Sequence, residues 1–477
     1  MIRRGRTEGW LTQPISAFPT WASFHGVSFN GIKISQMPGF EHRGSTVIAT
    51  RSLESEKDNP LMVVPKEFIL SRQNIDIFSK SDQHLKEVID AVGDFGYTAR
   101  GAILMFLLMQ ATICCPDMQD VGVKNPLNEY IKFLPDELLP TFWTEEEQEL
   151  LVGTTLRPAI RAKLNSLLRE YETIRTGTEH IPWCAKYWWD EEEGQLTFED
   201  WMRLDAMYRS RALEFPGVGD CMVPCVDMAN HASGDATAAL YETDNTGNGI
   251  LLLRKGRNIK ADEEVTITYG DDKGACENIF SYGFLEESVK SARAMFLHLE
   301  IPDDDPLRPA KLAVNTAAPG FRIFEKDDHI DWNSDFVWLT VVNEEDGLDF
   351  KLRQTIDGQR EIQGFWKADE LKDISNLRYL LEQDPRWDIY QLRAIVLLQQ
   401  RVEDQLQLLR KTGNPDRESS VREGPWHIAR RLRNLESDML EKAGADFEDQ
   451  VRMCPLLSCP HWIVACSRSY THPPPTT

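Results

Sequence analysis

The stretch VPCVDMANHASG, Val223 to Gly234, sets Asp227, Asn230 and His231 within five residues behind an apolar lead. A carboxylate, an amide and an imidazole this close can hold a metal, serve a nucleophile, grip a cofactor, or only cap a turn. A metal needs three or four ligands, and no HExxH-like helix adds to Asp227 and His231. Cys225 lies six residues before His231, but catalytic dyads are assembled in space, so closeness in sequence is no support. No G-x-S-x-G elbow exists. A phosphate site has no P-loop to build on, and Gly217-Val218-Gly219 is too short for a dinucleotide fingerprint. Cys454, Cys459, His461 and Cys466 lack the paired short spacings of zinc sites, so no metal is expected. A cofactor grip and a well-capped turn remain.

The cofactor reading gains from two neighbouring blocks. Ser210-Arg211-Ala212-Leu213 lies upstream, and ITYGDDKGACENIFSYGF, Ile267 to Phe284, lies downstream with two Tyr-Gly pairs thirteen residues apart. In this order the three blocks resemble the SET-domain protein methyltransferases, in the branch that includes the Rubisco large-subunit lysine methyltransferase. WASFHGVSF, ATRSLE, VVP and NEYIKFLPDELLPTFWTEEEQELLVGT follow the same order, so the resemblance covers most of residues 20–445.

The resemblance implies S-adenosylmethionine as cofactor. Asn230 and His231 would hydrogen-bond it through backbone and side chain, and Arg211 would face its carboxylate. Asp227 would tie down the loop. Gly44 would allow close approach of backbone, and Phe284 would lie on the adenine side. Tyr269 matches the catalytic tyrosine. Tyr282 would border cofactor and channel, with Leu213, Tyr241 and Ile267 as channel walls. Three departures stand out: Glu41-His42-Arg43 precedes Gly44 where a Gly-x-Gly element is usual, Gly274-Ala275 follows Lys273 where Ser-Asn is usual, and Leu213 replaces an aromatic. Three functions stay open: a protein-lysine methyltransferase acting on a non-histone protein, such as a ribosomal or translational one; a histidine methyltransferase of the same branch; and a degenerate SET protein that binds partners without transfer.

The elements that must position these residues can be read from pattern. Val47–Arg51 and Leu61–Pro65 read as short strands, and Ala238–Thr243 with Ile250–Arg254 as a hairpin across DNTGNG. Val265–Thr268 alternates and reads as a strand ending at Tyr269. From about residue 75 to 205 the pattern is helical. Ala102–Ala111 is apolar on nearly all faces and belongs inside, and the longer run Ala102–Cys115, interrupted by Gln110, reads as a buried helix. Thr144 and Glu147 form a capping-box pair, and the acidic runs 145–147 and 190–193 read as solvated faces or helix N-termini. IPDDDPLRP marks a boundary near residue 290. Beyond it, one helix carries a stripe of Ile389, Leu392, Val396, Val402, Leu406 and Leu409, stopped at Gly413, and a second carries Ile428, Leu432, Leu435 and Met439. The expected fold is α+β: a mostly β SET domain over 20–290 with a helical insert over about 75–205, an all-helical substrate-binding domain over 291–445, and a loosely ordered tail over 446–477.

Composition bounds the function. The chain has 477 residues, 42% hydrophobic and 27% charged, with nine cysteines and a formal charge of −23. That charge argues against nucleic-acid backbone binding and favours a basic protein partner. No apolar run approaches the roughly 20 residues of a membrane span. MIRRGRTEGWLTQP has no apolar core like that of a secretory signal, and the cysteine spacing fits no disulfide framework. The expectation is an intracellular monomer, cytoplasmic or nuclear, with reduced thiols.

Overall fold

The β-branched run before Ala49 forms an antiparallel hairpin with the strand ahead of it. Ile32–Gln36 pairs with Ser45–Ala49 so that Ile34 faces Val47, and Ile32, Ile34, Val47 and Ala49 are buried. The computed structural model describes residues 1–37, 44–118, 120–136, 138–192, 194–354, 360–367, 369–371, 373–414 and 416–453. The chain divides into two compact units. One comprises Met1–Phe142, Ile160–Asp271 and Phe280–Gly283, the other Trp143–Ala159, Asp272–Ile279 and Phe284–Thr477. The chain passes between the units several times.

The first unit combines short sheets with long helices. Its largest sheet is antiparallel, in the order Ser28–Phe29, Met62–Val64, Gly249–Leu253, Ala239–Thr243. The last two strands are the expected hairpin. A three-stranded sheet runs Leu70–Ser71, Gly219–Met222, Leu213–Phe215. The expected helical stretch contains the helix Ala99–Cys114, whose residues from Gly101 to Thr112 are all buried. Its one amide, Gln110, accepts hydrogen bonds at Oε1 from Asn125 and Asn128, which satisfies its oxygen. The helix Phe198–Arg211 starts from a Thr197–Asp200 capping box and buries Trp201, Leu204, Met207 and Tyr208, so its last residue, Arg211, is delivered at a fixed place.

Val265–Thr268 is not the expected alternating strand. It is extended backbone held by single bridges, Ile48 to Glu264 and His231 to Ile267. Val265, Thr266 and Ile267 are all buried, because neighbours cover both faces.

The second unit holds the expected helical region, but it is not helical throughout. It also contains two three-stranded antiparallel sheets: Ala294–His298, Gly320–Lys326 and His329–Asn333, then Leu348–Gln354, Arg360–Trp366 and Asp369–Leu371. The strand Leu348–Gln354 is mostly exposed, although Leu348, Phe350 and Leu352 alternate with charged residues along it. The helix Trp387–Thr412 ends at Gly413 as expected, yet its buried residues are Tyr390, Ala394, Leu398, Val402, Gln405 and Leu409. The stripe is rotated from the expected one because Tyr390 and Gln405 face inward, and Gln405 donates to the Gly153 carbonyl. Leu432, Leu435 and Met439 are buried on the helix Glu423–Met453. That helix absorbs residues 446–453 of the expected tail. The rest of the tail, with Cys454, Cys459, His461 and Cys466, lies outside the described residues, as do Glu41, His42 and Arg43.

The Thr144–Glu147 capping box forms, but Glu147 is fully buried and not on a solvated face. Arg422 reaches it with Nε at 2.7 Å and Nη2 at 2.6 Å, and a paired charge can be buried where a lone one cannot. Among the described residues, no helix is long and apolar enough to cross a membrane.

Candidate functional site

The 223–234 segment is built from its backbone outward. Cys225 takes φ 80°, in the left-handed region, and a 3-10 turn follows over Val226–Met228. Such strain in a non-glycine residue persists only where the surroundings hold it. Here the Asp227 N–H donates to the Val223 carbonyl at 3.0 Å, and the Asp227 side chain turns inward. Its Oδ2 accepts the Tyr130 hydroxyl and lies 3.9 Å from Arg211 Nη1. Arg211 Nη1 also donates to the Asp227 carbonyl at 2.9 Å. Burial pushes the Asp227 carboxyl up to about 6, against the opposing pull of Arg211, the Tyr130 hydroxyl and backbone N–H groups. Arg211 and Asp227 therefore meet, and Asp227 ties the turn to Tyr130 and to the end of the helix Phe198–Arg211.

Beyond the turn the chain straightens. The Ile267 N–H donates to the Asn230 carbonyl at 2.9 Å, and the Ala232 N–H to the Ile267 carbonyl at 3.0 Å. The Asn230 amide donates to Glu264 at 2.7 Å, and Glu264 also accepts from Thr46. The His231 Nδ1 accepts the Tyr269 backbone N–H at 3.0 Å, which assigns the ring proton to Nε2, 3.2 Å from Ser233 Oγ. Both ring nitrogens are thus engaged within the protein. The His231 ring also stacks on Tyr269, at 5.1 Å between centroids.

Tyr269 is fixed from three sides. Its hydroxyl donates to the Ala229 carbonyl at 2.8 Å, its N–H meets His231, and its ring packs on Tyr282 at 4.5 Å. The Tyr282 hydroxyl donates to the Tyr269 carbonyl at 3.4 Å, and burial pushes its pKa up to about 12. Tyr241 is raised by burial first and then by the nearness of Tyr282. It stacks on Phe215 at 5.1 Å, on the strand that begins with Leu213. Three of the expected tyrosines therefore share one neighbourhood. Ile267 is wholly buried against His231.

Gly44 has φ 75°, and a Cβ there would meet nothing within 4 Å, so the backbone conformation, not crowding, calls for glycine. The next residue, Ser45, sets its hydroxyl 3.0 Å from the Met228 sulfur, which is 3.5 Å from Arg211 Nη1. Phe284 belongs to the second unit. A cavity of about 740 Å³ in the first unit is lined by Ser35, Gln36, Lys132 and Phe133 among others, and by none of the expected site residues. Sequence reading missed Tyr130, Thr46 and Glu264. Each lies far along the chain from its partner, and only Tyr130 stood in a quoted block.

No family profile matches the chain. Curated relatives do. SET domain-containing protein 8 of Schizosaccharomyces pombe is 26% identical over 356 residues, 71% of this chain and 75% of its own. The chloroplastic Rubisco large subunit N-methyltransferase of Pisum sativum is 30% identical over 202 residues, 39% of this chain and 38% of its own. The chloroplastic fructose-bisphosphate aldolase-lysine N-methyltransferase of Arabidopsis thaliana is 28% identical over 192 residues, 39% of this chain and 38% of its own. The matches to the two plant enzymes thus span well under half of their length. Among solved structures, the LSMT SET domain bound to methyl-lysine and AdoHcy superposes with a TM-score of 0.63 at 17% identity, covering 97% of this chain and 98% of the other.

The chain is a SET-fold protein related to the Rubisco large-subunit N-methyltransferases. The pairing of Arg211 with Asp227 and of His231 with Tyr269 brings residues of all three motif blocks together within the first unit, while Asp272–Ile279 and Phe284 of the third block belong to the second.

Proposed function

We propose that this chain is an S-adenosylmethionine-dependent protein-lysine N-methyltransferase acting on a non-histone protein. One observation carries the reading: Tyr269 is held by the Ala229 carbonyl and by His231, beside a turn that presents Arg211.

The residues present fit the cofactor. Arg211 is a planar donor fork of the kind a carboxylate favours. Asn230 and His231 spend their side chains on Glu264, Tyr269 and Ser233, so ligand recognition there falls to their backbone groups. The space beside Gly44 is open. When bound, the cofactor supplies a methyl group on a positively charged sulfur. The relatives and the LSMT complexes described above support the same choice.

The chain's own part is alignment and exclusion of water. Because the Tyr269 proton is given to the Ala229 carbonyl, the phenol oxygen offers lone pairs to an incoming amine N–H. A lysine amine titrates near ~10.4 in water and must enter neutral, which an apolar aromatic mouth favours. Positioning of this kind supplies much of a transfer rate.

The test is incubation of the protein with cell extract and isotope-labelled S-adenosylmethionine, followed by identification of the modified residue. Labelled methyl-lysine on a protein is the expected result. Methyl-histidine as the sole product, or a well-folded protein that binds no cofactor in calorimetry, would overturn the proposal.

A further inference from the structure

We propose that Tyr130 is a positioning residue for the donor pocket: its hydroxyl, bonded to the Asp227 carboxylate, holds the 225–231 turn in the arrangement that presents Arg211 to a ligand carboxylate. The inference rests on the functional reading above.

The geometry is a chain of fixed contacts. Tyr130 is fully buried. Its ring lies parallel to Trp21, at 6.3 Å between centroids and 4° between planes. Trp21 is itself packed by Phe18 at 5.2 Å, Phe68 at 5.0 Å and Phe133 at 5.3 Å. A ring clamped this way cannot swing, so the position of its hydroxyl is set by the core. That hydroxyl donates to Asp227 Oδ2, the same oxygen that faces Arg211. Asp227 then touches Arg211 twice, through its carboxylate and through its carbonyl. Two residues upstream, Cys225 sits in a strained left-handed conformation, which requires restraint from outside the turn. Tyr130 supplies it.

The groups facing Asp227 are Arg211 from the helix Phe198–Arg211, Tyr130 from the helix Tyr130–Phe133, and Cys225 with backbone N–H groups from its own turn. Burial raises the carboxyl to about 6, and the Tyr130 hydrogen bond is one of the interactions holding it down. Tyr130→Phe removes that hydrogen bond without removing the ring. Asp227 would then take up a proton at higher pH, and Arg211 would lose the orientation of its partner.

The experiment measures the Kd for S-adenosylhomocysteine by calorimetry from pH 5.5 to 8.5, with thermal melts in parallel. Wild-type affinity is expected to fall as pH drops through about 6. Tyr130→Phe is expected to move that midpoint upward and to weaken binding roughly fivefold to tenfold at pH 7.5, the scale of one ordinary hydrogen bond, since its effect on the ligand is indirect. Asp227→Asn is expected to flatten the pH profile; should Tyr130→Phe fail to fold, this variant decides. If Tyr130→Phe binds with wild-type affinity and pH profile, or Asp227→Asn keeps the wild-type profile, the inference is overturned while the functional reading stands. A folded wild-type protein that does not bind at all removes both.

Discussion

On the proposed function Tyr269 would carry the chemistry, and three separate contacts fix its ring. Tyr269→Phe keeps the ring on His231 and Tyr282 but loses the oxygen. We expect methyl transfer to fall by about 100-fold, in the range of a positioned polar group. Cofactor Kd should change less than about twofold, since the contacts of Arg211 are untouched; parallel turnover and calorimetric measurements check the split. At this scale the sequence was informative where residues form one short motif. Arg211, Asp227, Asn230, His231 and Tyr269 were all legible. The inward turn of the His231 ring was not, because motif spacing carries no side-chain direction. Glu264 was also hidden: one acidic residue beside another in ADEEV looks solvated until Asn230 and Thr46 are brought to it.

Helices of the second unit carry two buried glutamates whose ionisation acts in opposite directions. At Glu147, burial pushes the pKa up, but the Arg422 guanidinium and the backbone N–H groups of Thr144 and Arg422 outweigh it, and the carboxyl sits below its usual value. Its stabilising contribution is therefore present at neutral pH and lost as pH falls through the folded pKa. Glu147→Ala removes both the capping box and the partner of Arg422, and should cost about 2–4 kcal/mol in denaturant unfolding. Thr144→Ala, which removes the cap alone, should cost about 1 kcal/mol. At Glu436 burial dominates and raises the carboxyl to about 7, against hydrogen bonds from Thr155 and the charge of Arg433. A raised carboxyl stabilises the fold below its unfolded pKa, and that contribution is lost as pH rises through 7. Arg433 keeps oxygen partners on Leu150, Leu409 and Thr412 without it. Glu436→Gln should therefore raise the melting temperature at pH 8 by a few degrees and do nothing at pH 4, measured by thermal scans at both. The capping box was legible because its spacing is fixed. The burial of Glu147 was not, since its partner comes 275 residues later.

Over the whole molecule, the −23 formal charge makes encounter with a basic protein substrate sensitive to ionic strength. Raising salt from about 0.05 to 0.5 M should increase KM for such a substrate several-fold and leave kcat nearly constant, because screening acts on approach more than on the buried tyrosine cluster. Steady-state kinetics across a salt series checks this. The fold was legible from the order of many weak blocks over 20–445, and similarity to the LSMT SET domain over 97% of the chain agrees with that order. The two sheets of the second unit were missed although their strands carry apolar residues, Met295 and Leu297 in one and Leu348, Phe350 and Leu352 in the other, because their short runs sit between helical patterns.

The phenol of Tyr269 has already committed its hydrogen to Ala229, so it cannot relieve an ammonium group of its surplus one. On the proposed function, deprotonation would have to be completed before attack, and the acid–base behaviour of transfer would be inherited from the guest side chain. Turnover should climb with alkalinity across the neutral range. A less basic lysine mimic, such as aminoethylcysteine, should outpace lysine itself near pH 7.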